Sequence, residues 1–153
     1  MRWLVLTVCI SIVTAVSGVT LDVRIFSNKE LTSSWVSVQH CTYYLVALNQ
    51  NATIIDTVAD IVPDKSRGTL HISVVQSRVK ATYGVDDYGD FSALALIKSQ
   101  NDGTFLIKGS GPERIYSGDL LFKSVSNSLL VVNRVPLEEY VAGVVESEGG
   151  HVS

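Results

Sequence analysis

Cysteine is almost missing from this chain: its 153 residues hold 2, Cys9 and Cys41. Cys9 lies inside an N-terminal apolar run, so removing that run leaves Cys41 as the sole thiol and no intrachain disulfide can form. The core must therefore hold by burial alone. Proline is equally scarce, with 3 in all, and no Pro-rich linker, repeat or low-complexity tract marks an internal boundary. Excess charge of one sign is lacking too. Against 15 acidic residues stand 12 basic ones, a net charge of -3 that supplies no basic face for nucleic acid. Apolar side chains, by contrast, make up 46% of the residues, the composition of an ordinary globular module.

Residues 1–18 read as a secretory signal peptide, with 19–153 as the working part. Arg2 is followed by an uncharged apolar and small-residue run from Trp3 to Val16, with no acidic residue. That run is shorter than the roughly 20 apolar residues a transmembrane helix needs. Ala15, Ser17 and Gly18 suit a peptidase, which places cleavage after Ser17 or Gly18. The alternative, an uncleaved anchor, lacks a stop-transfer basic cluster after Gly18. Val8 precedes Cys9 where a lipoprotein signal wants a small residue, which argues against lipidation. The expected location is the periplasm, cell envelope or extracellular space, with membrane contact only through this segment.

From Thr20 onward, short alternating apolar runs are broken by turn residues, the pattern of strands. Strands are expected over 21–26, 35–38, 42–48, 69–75, 78–83, 93–98, 104–108, 119–124 and 128–133. Residues 49–51, 101–103 and 109–111 supply turns, and the hairpin-like spacing predicts antiparallel pairing. The period changes at Pro136. Leu137, Tyr140, Val141, Val144 and Val145 recur at helical spacing, with Pro136 at the first helical position and Glu138 and Glu139 in the first turn, where the helix dipole favours negative charge. Gly149 and Gly150 stop the helix. The expected fold class is α+β, predominantly antiparallel β-strands with one C-terminal amphipathic helix, forming part of a larger domain. Either the β-layer packs on this helix or a further segment must cover it.

Glu148 is the residue of that helix with the most to say about chemistry. At about 100° per residue it lies within roughly 20° of Leu137 around the axis, so it continues the apolar stripe, whereas Glu146 falls about opposite. A carboxyl desolvated in this way holds its proton near neutrality and can protonate a leaving oxygen. The alternative is a frayed last-turn glutamate that faces water.

Other candidates read as structural. Cys41 beside His40 could pair a nucleophile with a base, but neighbours in a strand point to opposite faces, so a buried thiol is expected. Asp86, Asp87 and Asp90 around Gly89 lack the ligand alternation of a calcium loop and read as a solvated turn. Asn51-Ala52-Thr53 is a formal glycosylation acceptor. Neither His71, in an alternating strand, nor His151, in the tail, has the partners of a zinc site, and Gly109-Ser110-Gly111 reads as a turn, so no metal or cofactor site is expected.

The run from Leu130 through Val131-Val132-Asn133-Arg134-Val135-Pro136-Leu137-Glu138-Glu139-Tyr140-Val141-Ala142-Gly143-Val144-Val145-Glu146-Ser147 to Glu148 closely resembles the signature of the SpoIID/LytB domain family. That family includes the peptidoglycan lytic transglycosylase of sporulation stage II and LytB-type amidase enhancers. Its segment reads as a strand ending in Val-Asn, then Pro-Leu-Glu-Glu-Tyr-Leu, then Gly-Val-Val-Pro-Ser-Glu-Met. Weaker echoes are Tyr116-Ser117-Gly118-Asp119-Leu120 and Leu21-Asp22-Val23-Arg24-Ile25. The resemblance implies that Glu148 is the catalytic acid/base, that peptidoglycan glycan strands are the substrate, that a cell-wall amidase is a potential partner, and that no cofactor is required. Two positions depart from the pattern: Glu146 replaces the family's proline and Gly149 its methionine. The family's further Ala-Gln-Ala and Arg-Thr-Tyr region has no counterpart before Ser153, so the chain resembles the front portion of such a domain, with little independent catalysis expected.

Overall fold

Alternation of apolar and polar side chains builds two six-stranded sheets in the computed structural model, which describes residues 18–27 and 30–149. With strands numbered in chain order, the first sheet runs β1 (Thr20–Ile25), β12 (Ser128–Pro136), β11 (Asp119–Val125), β8 (Ala93–Lys98), β3 (Tyr43–Leu48), β4 (Ile54–Ile61). The second runs β10 (Arg114–Ser117), β9 (Thr104–Lys108), β2 (Ser33–Gln39), β5 (Leu70–Val75), β6 (Arg78–Tyr83), β7 (Asp86–Phe91). Every pairing is antiparallel. One helix, α1 (Leu137–Gly149), follows β12 directly, so the class is α+β and β-rich, as the sequence predicts.

The two sheets share one core. Leu45, Leu94, Leu96, Phe122 and Val131 point inward from the first sheet and meet Val36, Ile72, Val79, Phe105 and Ile107 from the second. At one end of the sandwich the β5–β6 and β11–β12 hairpins turn through consecutive positive-φ pairs, Gln76-Ser77 and Ser126-Asn127, the backbone that matches strand twist in two-residue loops. The two tips touch, the Ser77 hydroxyl lying 2.6 Å from the Asn127 side-chain oxygen.

Three strands lie outside the sequence expectation: β4, β7 and β10. All three are sheet edges. An edge strand has one unpaired side, and natural edges are kept short, charged or bulged to prevent further pairing. The segment around Asp86, Asp87 and Asp90 is accordingly corrected from a solvated turn to strand β7, with a register shift opposite Ala81/Thr82. Its charge marks an edge: Asp87 meets Lys80 at 2.7 Å. The β4 pairing likewise carries two register shifts, and β10 is four residues long.

Smaller differences concern local geometry. Pro136 closes β12 and Leu137 opens α1, one residue later than the periodicity suggests. Cys41 is buried as expected, but the reason differs: His40 and Cys41 occupy the bend between β2 and β3, with His40 exposed at φ 66°. Residues 1–17 of the expected signal, including Cys9, lie outside the described residues, as does His151.

Candidate functional site

The base of α1 is where the sequence motif becomes geometry. Strand β12 delivers the chain to Pro136, and the Leu137 N–H donates to the Val19 carbonyl at 2.8 Å, satisfying one of the amide groups a helix start leaves open. Asp22 on β1 accepts two bonds from the Arg134 guanidinium, at 2.8 and 2.9 Å, which ties the edge strand to β12 beside the helix start. The hydrogen bond to Arg134 holds the Asp22 carboxyl below its ordinary value. Both groups are half exposed, so the pair contributes only about 0.2–1 kcal/mol.

Glu139 fastens the helix to both sheets. Its Oε2 accepts from the Ser117 hydroxyl of β10 at 2.8 Å, and its Oε1 lies 3.7 Å from Lys98 Nζ at the end of β8. The second distance is an ion pair rather than a hydrogen bond. Lys98 Nζ also donates to the Asn101 carbonyl at 3.2 Å. Beneath this clamp, the Lys98 backbone N–H donates to Asp119 Oδ1 at 2.9 Å, and the Tyr43 hydroxyl donates to the Gly118 carbonyl at 3.2 Å. Gly118 holds φ at +95°, and a Cβ there would run into the Arg134 carbonyl, so this crossing from β10 to β11 needs glycine. Burial pushes the Asp119 carboxyl above its ordinary value, with the Lys98 N–H opposing. It also pushes the Tyr43 phenol well above its ordinary value, the negative groups of Cys41, Asp119 and Glu139 adding to the effect.

Two expected outcomes test this clamp. Replacing Glu139 by Ala removes the acceptor for Ser117, at a cost of about 1 kcal/mol. Amide exchange at Leu137, whose N–H is bonded to Val19, and in the second turn of α1 should then quicken roughly fivefold, while the denaturant midpoint of the sandwich moves little; unchanged exchange would show that the clamp does not hold the helix. For Asp119 the folded protein favours the neutral acid. Its contribution is therefore complete below the ordinary value of 3.8 and is lost as pH rises through the raised folded value. Melting wild type and Asp119→Asn side by side from about pH 4 upward should show wild type losing stability relative to the variant. A parallel pair of curves would exclude the effect.

Beyond its first turn α1 leaves the sandwich. Leu137 is half-buried, but Tyr140, Val141 and Val144 are 40%, 49% and 37% exposed. The β-layer thus does not cover the apolar stripe, the first of the two arrangements the sequence allowed. Glu148 falls in the last turn of α1, and its side chain lies outside the described residues.

Of the other sequence candidates, Asn51 is exposed in the β3–β4 turn, where its N–H and that of Thr53 donate to the Asn49 side chain at 2.9 and 3.0 Å. His71 stacks on Trp35. Among the described residues no group of three or more His, Cys, Asp or Glu converges on a metal position, and no helix is long and apolar enough to cross a membrane. The clamp of Glu139, Ser117 and Lys98 escaped the sequence reading because its members lie on three separate elements; only the acidic first turn hinted at it. In comparisons with known proteins, no family model matches the chain, and no curated protein or solved structure matches it.

Proposed function

We propose that this is an exported, peptidoglycan-directed protein carrying the front portion of a lytic transglycosylase of the SpoIID/LytB type. The supporting observation is the coincidence of motif and architecture. The run that resembles the family signature occupies β12, Pro136 and α1, and Glu139 within it is bonded to Ser117 and flanked by Lys98. A helix anchored at its base carries position 148 about 16 Å along the axis from Leu137, at 1.5 Å per residue.

In the proposed reaction the Glu148 carboxyl protonates the oxygen between N-acetylmuramic acid and N-acetylglucosamine, and that C–O bond breaks. The resulting carboxylate accepts the proton of the muramic 6-hydroxyl as its oxygen bonds to C1, closing a 1,6-anhydro ring. Atoms balance without water. One carboxyl suffices because the nucleophile belongs to the substrate, and its intramolecular attack gains from high effective molarity. Two-carboxylate hydrolases differ, since their second acid activates water or attacks directly.

Digestion of purified peptidoglycan with the full-length protein tests this reading by mass spectrometry of anhydro ends and by dependence on Glu148. A second reading, a non-catalytic module that binds glycan or stimulates a cell-wall amidase, is favoured by the exposed stripe of Tyr140, Val141 and Val144. Cosedimentation with peptidoglycan that yields no anhydro product and is indifferent to Glu148→Gln would select it.

A further inference from the structure

The outer face of the second sheet carries an aromatic pair that the function above does not use. Trp35 of β2 stands directly opposite His71 of β5, and their rings stack with centroids 4.0 Å apart and planes 25° off parallel. Trp35 is 48% exposed, although Ser34 and Val36 on either side are fully buried. On its other flank Trp35 stands opposite Lys108 of β9. Burial shifts the His71 imidazole toward its neutral form.

This pair adjoins an open cleft, for a reason visible in the register. β2 pairs with β5 only from Ser33 to Val36, whereas its pairing with β9 continues to Gln39. β5 begins at Leu70, opposite Val36, and beyond that point lies a cleft of about 270 Å³ lined by the polar Ser37, Gln39, Asp64, Lys65 and Thr69 and by apolar side chains of both sheets, Val38 and Ile61 among them. Ser37 lies two residues from Trp35 along β2, so the pleat brings it to the same face, and Thr69 immediately precedes β5, two residues before His71. The volume is near the small end of ligand sites, about 300–1,000 Å³, which suits one ring of a longer ligand whose neighbours pass over the aromatic pair.

We infer that this face is a glycan-binding surface, with Trp35 as its stacking anchor and the adjoining cleft holding the polar rim of one sugar ring. A pyranose offers a C–H patch to an aromatic face and, at its edge, hydroxyls that need both donors and acceptors. Here those are two hydroxyls, one amide, one carboxylate and one ammonium, without excess charge of either sign. A nucleic acid would need a basic stripe, and an apolar peptide a continuous apolar groove. That the sugars are N-acetylated rests on the peptidoglycan reading above; that the ligand is a glycan rests on this face.

The test titrates the full chain with tetra-N-acetylchitotetraose by isothermal calorimetry, a readout that uses neither of the two tryptophans, Trp3 and Trp35, as its reporter. A saturable response should weaken at least tenfold in Trp35→Ala and persist in Trp3→Phe, with Trp35→Ala retaining its circular dichroism spectrum and a cooperative melt. His71→Ala should weaken binding severalfold. Absence of binding by wild type, or binding that survives Trp35→Ala, overturns the inference. The peptidoglycan reading fails separately. Cosedimentation with peptidoglycan undiminished in Trp35→Ala would overturn this surface and leave that reading intact. Binding of the soluble sugar through Trp35, without cosedimentation or anhydro products, would leave this surface standing and remove that reading.

Discussion

Glu148→Gln should lower the release of 1,6-anhydromuramyl ends from peptidoglycan by about 10²- to 10⁴-fold, the span that general acid–base catalysis typically supplies. Glutamine keeps the shape of the side chain and can still donate a hydrogen bond to a sugar oxygen. What it cannot do is surrender a proton to the leaving group and accept one back from the 6-hydroxyl, and the proposed reaction needs both transfers from one group. Affinity for the glycan should hardly change, so the loss falls on turnover. The informative comparison is with Glu146→Gln. Glu146 lies two residues earlier on α1, about 200° around the helix axis, and should retain wild-type yield. Equal yields from the Glu148 variant and wild type would remove the acid/base assignment, and equal losses in both variants would point to the helix end as a whole.

The second large effect concerns the core beneath the helix. Phe105→Ala should cost about 3–5 kcal/mol of folding stability, against a total of about 5–15 kcal/mol for a typical domain. Phe105 is fully buried between the sheets. Its ring meets Tyr43 of the first sheet edge-on, with centroids 6.2 Å apart, and lies at a 29° interplanar angle to Tyr116 of β10 at 6.1 Å. Truncation therefore empties a space lined by both sheets and removes two aromatic contacts. Tyr116 is followed by Ser117, which holds Glu139, so the same change should also loosen the first turn of α1. Denaturant unfolding would report it as a lower midpoint at unchanged slope. A loss under about 1 kcal/mol would mean that the neighbours collapse into the space and that this column does not couple the sheets.

The elements legible in the sequence are those whose burial repeats at short range. β11 and β12 alternate because one side of each faces the shared core: Leu120 and Phe122, Leu129 and Val131 point in, while Leu121, Lys123, Leu130 and Val132 lie on the other side. The helix start was legible from Pro136 and the acidic first turn. β4, β7 and β10 were not, because an edge strand carries the charge, brevity and irregular register of a loop and becomes a strand only through its neighbour. The acidic group at Asp86, Asp87 and Asp90 shows this plainly, since its pairing to Tyr83, Thr82 and Lys80 is an interaction between chain segments. Of the candidate site, position 148 remains an expectation from helical spacing and the family resemblance, whereas the clamp at Glu139 joins residues 22 and 41 positions apart in sequence.

The amino-acid sequence by itself determined the β-rich class, the central strands and the place where the helix begins, because each follows from side-chain chemistry within a few residues. Only the tertiary structure decided which strands form edges, that α1 is anchored at Glu139 while Tyr140 and Val141 stay exposed, and that Trp35 meets His71 beside an open cleft. The physical reason is that strand pairing and sheet packing join residues far apart along the chain, and no local period in the sequence records which distant segment will lie alongside.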